Sequence, residues 1–178
     1  MRDIVGSIEL EYKRYKTLGE GALKQLRDEE LDARPTPAAN SAAILVWHLS
    51  GNLKSRFTDF LTSDGEKPWR GREEEFAERR VSREQLMAKW QEGWLVLLDA
   101  LSQLNDQHLK ATVHIRRQPL SVHAALHRSL AHAAYHVGQL VYVGKNLRGD
   151  DWEYMSIPPG KSDEYNRNPT REKGPGKV

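Results

Sequence analysis

Apolar residues recur at helical intervals along most of the chain. Between positions 4 and 26 they fall at Ile4, Ile8, Tyr15, Leu18, Ala22 and Leu26, three, four or seven apart, which marks one face of a helix. Pro35 and Pro37 break the segment that follows, and Asn40 or Ser41 then offers an oxygen to cap a second helix, expected to run to about Thr62. Asp64-Gly65-Glu66-Lys67-Pro68 is turn chemistry, and the charged stretch 70–80 reads as a long connection. Ser82-Arg83-Glu84-Gln85 has capping-box spacing and opens a third helix, with Leu86, Trp90, Leu97 and Leu101 among its apolar residues and an end near Leu104. Residues 111–118 alternate weakly, enough for a short extended crossing but not for a sheet. A fourth helix follows Pro119, runs to about Asn146 and closes near Gly149.

Four long helices, a long connection between the second and third, and no convincing strand predict an all-α fold, an antiparallel four-helix bundle. A chain of 178 residues leaves little room for two independent cores. We therefore expect one domain over 1–160, followed by an extended, partly disordered basic tail over 161–178.

Charge and composition narrow the function. The chain holds 27 Lys and Arg against 25 Asp and Glu, but the tail carries five basic and three acidic residues, so 1–160 is balanced. A strong basic field for nucleic acid is absent. The longest apolar run is six residues, 42–47, far short of the roughly 18 needed to span a membrane. Met1-Arg2-Asp3 leads directly into a charged amphipathic stretch, so a cytoplasmic location is expected. Zero cysteines exclude thiolate ligands and a cysteine nucleophile, and any thiol chemistry needs a thiol brought by the substrate.

Histidine carries the sharpest local signal. His132 and His136 lie four apart on a helix, separated by about 40° around its axis, and can bite one metal ion together. His123 and His127 form a second such pair, but the step from His127 to His132 turns the direction by about 140°, so both pairs cannot serve one ion. On the second helix His48, Asn52 and Arg56 form a polar strip that drifts into the apolar stripe of Leu45, Leu49 and Phe60. A hydrogen-bonded network that fixes helix register accounts for that strip as well as a site does. A shared ion would join the two helices, and three neutral imidazoles leave a coordination position open for water or substrate. Position 133 is Ala, so the glutamate of a His-Glu-x-x-His protease is missing, and no Glu-x-x-His half-site of a di-iron bundle exists anywhere in the chain. Phosphate-cradling glycine loops and a Gly-x-Ser-x-Gly elbow are also absent. Trp90 and Trp94 share one side of the third helix, more than a small bundle easily encloses, which points to a homodimer; core packing is the competing explanation.

Several strings together resemble the DinB/YfiT-like superfamily of metalloenzymes. They are Asn40-Ser41, Trp47-His48-Leu49, Gly51-Asn52, Asp59-Phe60-Leu61, Asp64-Gly65-Glu66-Lys67, then His132 to Gln139 with Tyr135 and Gly138, and Ser156-Ile157-Pro158 with Gly160 and Ser162. The resemblance covers about residues 2–166 and implies a bundle, often dimeric, that binds nickel or zinc through residues matching His48, His132 and His136. It also implies transfer of a low-molecular-weight thiol to a small-molecule substrate, the metal activating the thiolate. Asn52, Arg56 and Gln139, one or two turns from these histidines, are candidates for supporting or pocket contacts. Metal-assisted hydrolysis, or a non-catalytic metal-binding or stress-related bundle, are the alternatives. His108, His114, His123 and His127 are left without a role.

Overall fold

The structure, a computed structural model, describes residues 1–170. It is mostly helical, with a small two-stranded sheet. Helix α1 (Asp3–Gln25) packs on α4 (Val122–Arg148) and α3 (Arg83–Ser102), while α2 (Ala42–Phe57) packs on α3 and α4. Of the 16 residues of α2, 12 are buried, His48 and Asn52 among them, so this helix runs through the centre. No helix is long and apolar enough to cross a membrane among the described residues.

Local chemistry explains where the elements begin. The Ser41 hydroxyl accepts from the Ile44 amide at the start of α2, and Ser82 and Gln85 form the reciprocal capping box at the start of α3. Ser121 caps α4, and Gly149, at φ 54°, ends it. Helix α2 stops at Phe57, short of the expected Thr62. Asp59 takes φ 50°, a left-handed conformation that ends a helix, and its carbonyl collects the Thr62 and Ser63 amides. In α1 the buried side is carried by Val5, Ile8, Tyr12, Ala22 and Leu23, whereas Ile4 is half exposed. The Tyr12 hydroxyl donates to the Leu126 carbonyl across the α1–α4 contact, which is why a tyrosine fits in the core there.

Three further expectations are corrected. Residues 112–121 form a hairpin rather than a lone crossing: β1 (Thr112–Ile115) pairs antiparallel with β2 (Gln118–Ser121) in the register Thr112 to Ser121. Its turn residues Arg116 and Arg117 both have positive φ, 53° and 64°, as a two-residue hairpin requires but arginine disfavours. The Asp64 carboxylate accepts from both turn amides, at 2.8 and 2.7 Å, so the turn is held from a distant loop instead of by its own residues. Trp90 and Trp94 are each 1% exposed, in the core beside Tyr12, which removes the ground on which they pointed to a dimer. Their enclosure depends partly on close helix approach: a Cβ on Gly93 would lie 2.6 Å from the Ser50 Cα. Beyond α4, Ser162–Asn166 forms a short helix, α5, where an extended chain is expected, and the rest of that tail, 171–178, lies outside the described residues.

Candidate metal centre

The α2–α4 contact brings three histidines together. His48 is buried on α2; His132 and His136, one turn apart on α4, are partly buried and buried. The Nε2 atom of His132 lies 3.4 Å from that of His48 and 3.1 Å from that of His136. Among the described residues these three are the one group of metal-ligating side chains drawn this close, and they could hold a metal ion.

The opposite ring nitrogens decide what the cluster can do. His48 Nδ1 is 2.9 Å from Glu75 Oε2; a carboxylate only accepts, so Nδ1 carries a proton, and in the neutral ring Nε2 then presents a lone pair. His136 Nδ1 is 2.8 Å from Gln139 Oε1, and donation to that amide oxygen leaves its Nε2 with a lone pair too. Two acceptors therefore face one point, with a third imidazole against them. A buried Nδ1 of His132 has no hydrogen-bond partner.

Glu75 is itself clamped. Arg70 Nε and Nη2 donate to its two oxygens at 2.7 and 2.8 Å, a bidentate fork with side chains 2% and 8% exposed. Burial pushes the Glu75 carboxyl up, but the Arg70 fork and the His48 N–H outweigh it and hold it below the ordinary carboxylate range. Burial also dominates at the histidines: with the neighbouring imidazoles it lowers His132 to about 3, and with His48 it lowers His136 to about 4 against the opposing Gln139 bond. Both rings are neutral at pH 7, the form that ligates metal.

Glu75 and Arg70 belong to the stretch that reads in sequence as a mere connection. It folds over α2, with a 3-10 turn at Glu73–Phe76 that also lays Phe76 on the His48 ring, centroids 4.5 Å apart. Gly51 makes room for it, because a Cβ there would overlap the Glu75 carboxylate. No periodicity marks this loop, and only the Arg70 and Glu75 charges hint at it.

The remaining candidates divide. Gln139 holds His136. Asn52 and Arg56 line a cavity of about 200 Å³ beside His48 and His132, with Arg56 bound to the Gly65 carbonyl and to Glu66. His114, on β1, borders the same cavity. His123 and His127 lie against each other on the exposed side of α4, centroids 4.2 Å apart and rings tilted by 53°, and take no part in the cluster. His108 accepts the Asn105 amide in a cap of a 3-10 turn.

No curated protein matches the chain. The crystal structure of a conserved protein from Enterococcus faecalis is similar in fold, with a TM-score of 0.65 at 19% identity over 84% of this chain and 99% of that one. The family model of proteins of unknown function DUF1572 matches residues 2–161, and the chain therefore belongs to the DUF1572 family.

Proposed function

We propose that the chain is a DinB-like metal-dependent enzyme, an antiparallel four-helix bundle over about 1–160 in which His48, His132 and His136 bind one divalent ion, nickel or zinc. The observation that carries this reading is the convergence of three Nε2 atoms, two of them left with lone pairs by Glu75 and Gln139. A single Nε2–H on His132 can serve only one of these lone pairs, whereas a shared cation serves all three nitrogens. The donor set fits such an ion: neutral imidazoles, with a carboxylate behind one and an amide behind another, which fix ring orientation and raise ligand basicity.

When bound, the ion supplies Lewis acidity, lowering the pKa of a thiol or water that takes its open position. The residues of the chain do the rest. Glu75 keeps the proton on His48 Nδ1, Gln139 does the same for His136, and Phe76 shields the His48 ring from water. The adjoining cavity supports a site open to a small molecule over a closed structural staple. Transfer of a low-molecular-weight thiol is the reaction we favour on the DinB resemblance; as the chain holds no cysteine, that thiol would come from outside. Assembly as a homodimer rests on the DinB resemblance alone; light scattering reads it directly, as twice the chain mass or once.

The test is metal content by elemental analysis, with spectra of the cobalt-substituted protein. Wild type should carry about one ion per chain, His132→Ala should carry almost none, and the cobalt spectrum should change when a small thiol is added. Equal metal in the variant would overturn the ligand assignment. A cobalt spectrum unmoved by thiols or anions would overturn the open position, and with it the enzymatic reading.

A further inference from the structure

The wall of the cavity beside the histidines is unusually cationic. Arg56, Arg70, Arg72, Arg116 and Arg128 border it, and no carboxylate does. Several of these charges are already answered. Arg70 is spent on Glu75, and Arg72 pairs with the exposed Glu73 while lying over Phe76. Arg56 and Arg116 share one carboxylate, that of Glu66, at 3.2 and 3.0 Å, so two guanidinium charges meet a single negative charge. The nearby Asp64 carboxylate is committed to the hairpin-turn amides. Arg128, one turn before His132 on α4, stands exposed at the cavity rim and has no hydrogen bond or ion pair among the described residues. Next to it on the same wall lies the buried Ser129, whose hydroxyl faces Tyr12. The opposite character is present as well, since Phe57, Phe60, Val113 and Ile115 supply apolar wall.

We infer that the cavity takes a small molecule through an oxyanion, a carboxylate or phosphate, lodged between Arg128 and the Arg56–Arg116 pair, with its apolar part on the phenylalanine side and its reactive end toward the three histidines. The last clause rests on the metal-site reading above; the anion site itself does not. Planar guanidinium groups match carboxylate and phosphate oxygens in pairs. The volume suits a small metabolite. Arg116 sits in the hairpin turn, and Asp64, by holding that turn, fixes the backbone that carries this cation to the cavity rim.

The test is titration calorimetry on the full-length protein, as purified and after chelation and dialysis, at constant ionic strength. The probes are inorganic phosphate, succinate and the neutral analogue succinamide. At least one of the two anions should bind saturably in both preparations, the better one naming the anion class, while succinamide should not bind. Arg128→Ala should weaken the anion about tenfold with an unchanged melting temperature. Arg128→Lys, which keeps the charge but not the fork, should recover part of the loss. Absence of saturable binding by both anions, equal binding of succinamide, or an Arg128→Ala variant that binds as wild type would each overturn the inference. Anion binding that needs Arg128 in a protein that takes up no metal would leave the inference standing and overturn the metal reading instead.

Discussion

Replacing Glu75 by Gln separates two jobs that one carboxylate performs. The amide oxygen can still accept from His48 Nδ1, but the Arg70 guanidinium, 2% exposed, loses the counter-charge to which its side-chain hydrogen bonds go. At N···O distances of 2.7 and 2.8 Å the charge centres lie about 4 Å apart, worth roughly 4 kcal/mol at an effective dielectric of about 20. Breaking a buried pair from one side costs about 3–5 kcal/mol, in agreement. For a domain of this size that is roughly 10 °C in melting temperature. The metal should respond separately: losing the carboxylate behind a ligand histidine costs roughly 10- to 100-fold in affinity. Calorimetric melting of chelated protein measures the first, and competition with a chromophoric chelator the second. The double variant Glu75→Gln with Arg70→Met should regain much of the melting temperature without regaining metal affinity. A Glu75→Gln protein that melts and binds metal as wild type does would refute the reasoning.

Two further outcomes follow from geometry away from the histidines. Gly93→Ala forces a methyl to within 2.6 Å of the Ser50 Cα and 2.9 Å of its Oγ, so the α2–α3 contact must spread; a loss of about 1–3 kcal/mol is expected by thermal melting, and an unchanged midpoint would show that the helices do not approach this closely. Asp64 is held below its usual 3.8 by amide donors from Glu66, Arg117 and Arg116. Its depressed pKa means the stabilisation is fully present above about 3.8 and is lost as pH falls through the lower, folded value. The Arg116 and Arg117 amide resonances should therefore titrate below 3.8, and should show no such step in Asp64→Ala.

The sequence carried the helices well where the signals were local. The capping residues Ser41, Ser82 and Ser121 lie beside the elements they start, and the four-residue spacing of His132 and His136 needs only one helix to be understood. It carried the hairpin poorly, because the residue that makes an Arg-Arg turn tolerable is Asp64, about fifty positions earlier. Glu75 was illegible for the same reason: its partners, His48 and Arg70, lie on a buried helix and on an aperiodic loop, and charged loop residues look alike until one of them is found under a ring. The tryptophans show the reverse error. Trp90 and Trp94 looked too large for a small core, yet Gly19 and Gly93 let the helices close around them.

The same polar intrusion that marks the site also makes a statement about stability. Elsewhere α2 contacts its neighbours through Leu45, Leu49 and Leu53, all 1% exposed or less, but at its α4 contact three imidazoles stand where a bundle would otherwise place hydrocarbon. Without a cation between them, at most one of the three Nε2 atoms can be a donor, given the protons placed on Nδ1 of His48 and His136, and one lone pair stays without a partner. Metal binding should therefore be folding energy. At a free ion concentration 100 times the dissociation constant it contributes about 2.7 kcal/mol, or roughly 5–10 °C in melting temperature. The gain should also be local. Amide exchange should slow on α2 and α4 around His48 and His132 and in the Glu73–Phe76 turn, while the α1–α4 contact at Tyr12 and Leu126 changes little. An ion that binds by elemental analysis yet leaves both the melting temperature and the exchange of these segments unchanged is not held by the three histidines.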